Sequence, residues 1–192
     1  MKKIIPPLIS LDLETTGLSP RYGARICEIS LVQISDGKIR EHFTTLVNPE
    51  HDIPQMTTEL TGITNRMVRK APTFRKIIPE VKQILASGKP ILAHNARFDL
   101  SFLNFECAFC GEESPSNPVI DTLKIARRHF FFYDNSLGGI LERFGISCGA
   151  LHRAYQDAVA AYLILEEMCR YLKPREAEFY FSMTARRRYD ER

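Results

Sequence analysis

The 192-residue chain lacks tryptophan, and no stretch approaches the ~20 consecutive apolar residues that a membrane-spanning helix needs. Its five cysteines are an odd number without the dense spacing of a secreted disulfide scaffold, which favours free thiols in a reducing compartment. Two lysines lie in residues 1–5, but Pro6, Pro7 and Asp12 interrupt the apolar core that a signal peptide requires. We therefore expect a cytoplasmic protein with no membrane segment.

The chain also lacks internal repeats, low-complexity linkers and a strong excess of one charge. The net charge of +3 and the pI near 8.6 permit a polyanionic partner without demanding one. This length suits one domain with a sizeable core, which we place at residues 1–174. Residues 175–192 are predicted to form a basic C-terminal tail. Its Arg186–Arg188 run is interpreted as solvated in preference to a contact with phosphate or a partner.

Two of the cysteines, Cys107 and Cys110, form a lone CxxC pair within a helical pattern. No second pair follows at zinc-finger spacing, so core-facing cysteines are the favoured interpretation. A metal-binding or redox pair is the alternative that the sequence leaves open.

Apolar patterning predicts five strands. The first spans residues 8–13, and the next two span 24–35 and 38–47, joined at Asp36-Gly37, where a tight hairpin turn needs positive φ. Two short buried strands are predicted later, at 90–94 and 119–120. An antiparallel meander followed by strands that alternate with helices predicts an α/β fold, with a mixed sheet flanked by helices.

Helices are expected where apolar residues recur at helical spacing. The first covers about 73–86 and contains Pro79, which should kink or divide it. Another runs from the 94–99 segment to about Cys110, and two shorter helices begin at the capping residues Asp121 and Ser136. The last runs from about Ala154 to Leu172, and Pro174 is predicted to end it.

Two carboxylates, Asp12 and Glu14, end the first strand. Residues two apart on a strand share one face, so the two acids point the same way and repel unless a proton or a cation intervenes. Such a pair alone is common and is explained equally well by a solvated strand end. Further acids elsewhere in the chain favour a shared cation over a solvated strand end.

Asp99 near the start of one helix and Asp157 in the first turn of the last helix complete a set of four acids. A mixed sheet can bring strand ends and helix starts to one rim. Asp99 and Asp157 can also be explained as acids in the first turn of a helix, where their charge complements the helix dipole. Clustered carboxylate oxygens select Mg²⁺ or Mn²⁺. A pair of such ions roughly 4 Å apart can stabilise phosphoryl displacement, with His152 as proton acceptor for the attacking water.

Three motifs resemble those of the DEDDh, or DnaQ-like, 3′–5′ exonucleases, which include polymerase proofreading subunits. They are D-x-E-T-T-G at Asp12–Gly17, H-N-A-R-F-D at His94–Asp99 and H-R-A-Y-Q-D at His152–Asp157. The resemblance implies an RNase H-like fold and two metal ions held by Asp12, Glu14, Asp99 and Asp157. It also assigns His152 as general base. The sister subfamily has tyrosine four residues before the last aspartate, where this chain has Arg153.

The resemblance also implies residues that grip the 3′-terminal nucleotides. Leu18 and Ile63 are expected to wedge against bases, and Phe98 either stacks on a base or belongs to the core. The full set is Thr15, Thr16, Gly17, Leu18, Gly62, Ile63, His94, Asn95 and Phe98.

These features predict a metal-dependent 3′–5′ exonuclease that acts on single-stranded DNA ends and releases 5′-nucleoside monophosphates. RNA 3′-end trimming is the first alternative, since no device for the 2′-hydroxyl is evident. A polymerase subunit and a standalone nuclease stay open, although only about twenty residues follow Leu172 to bind a polymerase. A non-catalytic nucleic-acid-binding protein on the same fold would be favoured by loss of a carboxylate, and none is missing. The sequence does not decide between monomer and dimer.

Overall fold

The structure, a computed structural model, describes residues 5–182. Its centre is a five-stranded sheet in the order β3-β2-β1-β4-β5. The strands are β1 (Leu8–Thr15), β2 (Ile26–Ser35), β3 (Lys38–Leu46), β4 (Ile91–Ala93) and β5 (Val119–Asp121). β2 pairs antiparallel with β1 and β3, whereas the β1–β4 and β4–β5 pairs are parallel. The predicted mixed five-stranded sheet is confirmed.

The helices lie on both faces of this sheet and at its edge. A 3₁₀ turn at Pro20–Tyr22 follows β1. The α-helices are α1 (Gln55–Thr61), α2 (Asn65–Val68), α3 (Phe74–Leu85), α4 (Ala96–Phe109), α5 (Thr122–His129), α6 (Leu137–Phe144), α7 (Ala154–Tyr171) and α8 (Pro174–Ser182). Within residues 5–182, none of these helices has the length and apolar character needed to cross a membrane.

Three helical features differ from the sequence prediction. The short helices α1 and α2 lie between the third strand and the first predicted helix, where no helix was predicted. Helix α3 is one helix through Pro79, because Ile78 and Val81 beside the proline are buried and their packing offsets the lost hydrogen bond. Helix α7 ends at Tyr171, before Pro174 as predicted, but Pro174 then begins an unpredicted helix, α8, as proline suits the first helical position.

Helix α8 includes the first part of the predicted tail, and its Ala177 is buried. Tyr180 and Phe181 pack against the core layer that contains α7. The Arg186–Arg188 run lies outside the described residues. The division of the chain at residue 174 stays a prediction.

Strand β1 separates two core layers by simple alternation. Ile9, Leu11 and Leu13 pack in the layer that contains α3 and α4, whereas Leu8 packs in the layer that contains α5, α6 and α7. Residues at even positions of β1 therefore face α7, and Ser10 Oγ donates a hydrogen bond of 2.6 Å to the Ala158 carbonyl. This arrangement directs the side chains that follow at positions 12 and 14 toward the N-terminal end of α7.

The β2–β3 turn has the backbone conformation that its sequence predicts. Asp36 and Gly37 both have positive φ, at 54° and 71°, in this turn.

The two cysteines of the CxxC pair lie at the core layer of α3 and α4. Cys107 is buried in this layer, and Cys110 is partly buried against it. Both are free thiols. This placement agrees with the core interpretation of the CxxC pair.

Candidate active site

Three of the predicted metal ligands meet at the C-terminal end of β1. Carboxylate oxygens of Asp12, Glu14 and Asp157 all lie within 4.8 Å of one another. Strand alternation places the first two on one face, and the first turn of α7 supplies the third. The donors are all carboxylate oxygens, which is the ligand set that Mg²⁺ and Mn²⁺ prefer.

The fourth acid, Asp99, lies outside that 4.8 Å group but adjoins it. It is in the first turn of α4 and is only 3% exposed. Its charge contributes to the raised pKa of Asp12, and its own carboxyl interacts with the backbone of Leu13, the residue between the two β1 acids. The structure therefore places all four acids at one rim.

Burial raises the pKa values of all four acids, and neighbouring negative charges raise them further. Burial raises the pKa of Asp12 well above its ordinary value, and the charges of Asp99 and Asp157 raise it further. Burial and then the Asp157 charge raise the pKa of Glu14 from 4.5 to about 8. Burial is also the main cause of the raised pKa values of Asp99 and Asp157. The cluster therefore favours bound protons or a bound cation, which fits a divalent metal centre.

His152 lies in the loop before α7, and its side chain is exposed beside the cluster. Its backbone has φ of 68°, a left-handed conformation that is uncommon for a residue with a side chain. Its amide N–H donates to Asp157 Oδ1 and Oδ2 at 3.2 and 3.3 Å. Asp157 thus holds the backbone of the residue that is predicted to act as base.

A fifth acid, Glu28, also adjoins the cluster and was missed by the sequence argument. It pairs directly opposite Glu14 across the β1–β2 ladder and is 2% exposed. Its carboxylate accepts hydrogen bonds from the Arg153 guanidinium, the shortest at 2.6 Å, and from the Ala154 amide at 3.0 Å. Glu28 therefore supplies the N-terminal cap of α7 that the Arg153 side chain does not provide.

In the sequence, Glu28 is recognisable as an acid within an otherwise apolar strand. Buried acids are rare unless they are paired, so its position alone indicated a cationic partner. The partner's identity required the fold, because Arg153 follows 125 residues later.

The turn after β1 contains four residues predicted to grip the substrate. Leu18 is 90% exposed, so its side chain is available for contact with a base. Thr16 is buried, and its hydroxyl accepts the Arg25 amide, while Thr15 donates to the Gly17 carbonyl at 2.7 Å. A Cβ at Gly17 would lie 3.2 Å from that of Ala24, so glycine permits close packing of this turn.

The second predicted grip, at Gly62 and Ile63, is only partly in place. Gly62 ends α1 in the left-handed conformation, with φ of 71°. Ile63 is fully buried in a small core with Cys27, Ile53 and Val68. The prediction that Ile63 wedges against a base is therefore corrected to a core role, because packing beneath β2 removes the side chain from solvent.

His94, Asn95 and Phe98 lie at the end of β4 and the start of α4. His94 is partly buried, and its nitrogens lie 2.9 Å from Thr122 Oγ1 and 3.0 Å from the Asn135 carbonyl oxygen. Exposed Asn95 has φ of 67°, and its backbone N–H donates to Asp121 Oδ1. Phe98 packs on Phe102 with ring centroids 5.1 Å apart yet stays partly exposed, so it serves the core while retaining a surface for stacking.

Comparisons with known proteins agree with this site. A sequence model of the exonuclease family (RNase_T) matches residues 9–165. The chain is 36% identical over 166 residues to the 3′-5′ exonuclease DinG of Bacillus subtilis, covering 86% of this chain and 18% of that protein. It is 37% identical over 172 residues to the PolC-type DNA polymerase III of Oceanobacillus iheyensis, covering 88% of this chain and 12% of the polymerase.

A solved structure shares the fold. The nuclease domain of 3′hExo, described as a DEDDh family member bound to rAMP, superposes with a TM-score of 0.76. The sequences are 21% identical, and the match covers 89% of this chain and 95% of that domain. The chain spans less than a fifth of the length of the two curated relatives. On this evidence the chain belongs to the exonuclease family (RNase_T), and it has the fold of a nuclease domain described as DEDDh.

Proposed function

We propose that this chain hydrolyses the 3′-terminal phosphodiester bond of single-stranded DNA and releases 5′-nucleoside monophosphates. The observation that carries the proposal is the convergence of Asp12, Glu14 and Asp157 within 4.8 Å, beside buried Asp99. These four acids would hold two Mg²⁺ or Mn²⁺ ions. When bound, such ions polarise the phosphoryl group and the attacking water.

The chain's own groups then provide proton transfer and orientation. His152 accepts a proton from the water that attacks phosphorus, because its exposed imidazole lies in the loop beside the acid cluster. As the new P–O bond forms, the bond to the 3′ oxygen of the preceding nucleotide breaks, and that oxygen takes a proton from solvent to become the new 3′-hydroxyl. Asp157 orients His152 through its backbone amide, and the Glu28–Arg153 pair ties the same loop to β2.

The 3′ end is recognised beside these acids. Exposed Leu18 follows the β1 carboxylates by a few residues, and the partly exposed Phe98 ring lies one residue before Asp99. Apolar and aromatic surfaces accept any base by stacking, which suits an enzyme that removes nucleotides without sequence preference. Thr15, Gly17 and Asn95 complete this substrate surface in the proposal.

DNA is favoured over RNA because the PolC-type relative is named as a DNA polymerase. Trimming of RNA 3′ ends is the second candidate, supported by the rAMP described in the 3′hExo nuclease domain. Action within a polymerase assembly and action as a standalone nuclease are both compatible with these relatives. A purely binding role is disfavoured, because all four carboxylates and His152 are present.

The test uses 5′-labelled single-stranded DNA and RNA of one sequence, each with Mg²⁺, Mn²⁺ or EDTA. A ladder that shortens from the 3′ end and disappears in EDTA is expected, and the faster substrate identifies the natural class. Asp12→Asn should be inactive, whereas Glu80→Gln, an equivalent change at an exposed position on α3, should be fully active. No cleavage of either strand by the folded protein with Mn²⁺ would refute the proposal.

A further inference from the structure

An open cavity of about 530 Å³ adjoins the active site at the C-terminal ends of β4 and β5. Its walls include His94 and Asn95, Arg127 of α5, and the 134–137 segment that leads into α6. Neighbouring strands lie about 4.8 Å apart, so β5 is roughly 10 Å from β1 and its carboxylates. The cavity therefore continues the same rim of the sheet on which the metal ligands lie.

A defined hydrogen-bond network holds the α5–α6 loop beside this cavity. Because the Asn135 carbonyl can only accept, His94 Nε2 carries the proton in that 3.0 Å contact. The other ring nitrogen, Nδ1, lies 2.9 Å from the Thr122 hydroxyl oxygen, and that hydroxyl donates to the Ala93 carbonyl at the end of β4. The motif residue His94 thus connects the end of β4 to the loop at residues 130–136.

Alternate aromatic residues of this loop have opposite environments. Phe130 and Phe132 stack with centroids 5.1 Å apart and pack on Phe144. Phe131 and Tyr133 are fully exposed. The packed pair fixes the backbone, and the other two rings extend into solvent from the same loop whose residues 134–136 line the cavity. Exposed apolar surface that is grouped in one place in this way is typical of a ligand-binding site.

The charges near the loop suit an anionic strand on one side of the cavity. Arg127 is exposed and lines the cavity, whereas the neighbouring Arg128 guanidinium lies over the Phe179 ring on α8. Asp134 is the opposing charge, and its carboxylate accepts from the Ser136 amide and hydroxyl, both at 2.8 Å. Phosphate is therefore expected near Arg127 and away from Asp134.

We propose that the aromatic loop, residues 130–136, binds nucleotides that lie further toward the 5′ end than the two nucleotides joined by the scissile bond. Bases stack on Phe131 and Tyr133, and Arg127 contacts the phosphate that links them to these two nucleotides. The occupant is single-stranded nucleic acid, since exposed rings with a nearby cation match its bases and phosphates. This inference rests on the proposed exonuclease function and extends it to how a long strand is held.

The test compares a dinucleotide with a 20-nucleotide single strand as substrates for a Phe131→Ala, Tyr133→Ala double variant. The dinucleotide ends before the aromatic loop, so its kcat and KM should equal those of the unmodified protein. For the long strand, KM should rise about 30-fold or more, because the stacking of two bases is lost. Replacing both residues by tryptophan should restore the KM, since stacking surface is retained.

Phe109→Ala provides a matched control, because Phe109 is an exposed aromatic at the far end of α4. Arg127→Gln should weaken binding of the long strand. It should also reduce the magnitude of the slope of log K against log[salt] by about one. Unchanged KM for the long strand in the double variant would overturn the inference, as would an equal loss on the dinucleotide. Absence of any hydrolysis by the unmodified protein would instead refute the proposed function.

Discussion

Replacing Glu14 by glutamine should stabilise the metal-free protein at alkaline pH while it abolishes hydrolysis. In the folded chain, burial and the neighbouring Asp157 charge raise the pKa of Glu14 from 4.5 to about 8. The folded state therefore binds more protons than the unfolded state between these values. Consequently, the free energy of unfolding falls as pH rises from about 4.5 to 8.

The size of this effect follows from the pKa difference. Each pKa unit corresponds to ~1.4 kcal/mol, so the ionised Glu14 carboxylate would lower stability by at most ~4–5 kcal/mol. Protonation of its neighbours shares the repulsion, which reduces the expected effect to ~2–4 kcal/mol at pH 8. At pH 5 most of this penalty is absent, because Glu14 stays protonated in the folded state.

Urea unfolding in EDTA at pH 5 and pH 8 measures this difference. Glu14→Gln should exceed the unmodified protein in stability at pH 8 and approach it at pH 5, whereas Glu80→Gln should match the unmodified protein at both. Added Mn²⁺ should stabilise the unmodified protein at pH 8 by mass action, by ~2.7 kcal/mol at a hundredfold excess over Kd, and the variant by less. A Glu14→Gln protein that is less stable than the unmodified protein at pH 8 without metal would refute this electrostatic account.

Three further outcomes are expected. Asp12→Ala should abolish hydrolysis with little change in the circular dichroism spectrum, and retained activity would contradict the metal-site assignment. His152→Ala should lower kcat by roughly 10²–10⁴-fold while Mn²⁺ binding by calorimetry is retained, and near-normal turnover would assign the base elsewhere. Glu28→Gln should lower the free energy of unfolding by ~1–3 kcal/mol and should also lower kcat, because the loop before α7 loses its charged acceptor. Arg153→Met should have the same two effects. Loss of stability in these two variants with unchanged kcat would limit the Glu28–Arg153 pair to a structural role.

The Glu28–Arg153 pair also explains how a crowded acidic site is held together. Glu28 adds a negative charge that raises the pKa values of Asp12, Glu14 and Asp157. Arg153 partly offsets this and lowers the pKa of Glu14. The same ion pair fixes the first residues of α7, which contains Asp157. Geometry and charge at the site are therefore coupled through one contact.

Several features were determined by the sequence itself because they depend on short-range periodicity. Alternation along β1 sends Ile9, Leu11 and Leu13 to one core layer and Asp12 and Glu14 to the opposite face. The Asp36-Gly37 turn needs positive φ, which those residue types tolerate. The three exonuclease motifs indicated that Asp99, His152 and Asp157 belong with the β1 acids, and all of them lie at one rim.

Other features were decided only by tertiary structure, because they depend on which distant surfaces pack together. The hydrogen bonds between Glu28 and Arg153 link residues 125 apart, and no local pattern pairs them. Ile63 looked available to a base, yet packing against Cys27 and Val68 buries it. The fold also decides that Phe131 and Tyr133 are fully exposed while Phe130 and Phe132, in the same aromatic run, pack together. Local pattern determines which face of an element is apolar, and long-range packing determines which apolar side chains stay free to bind a ligand.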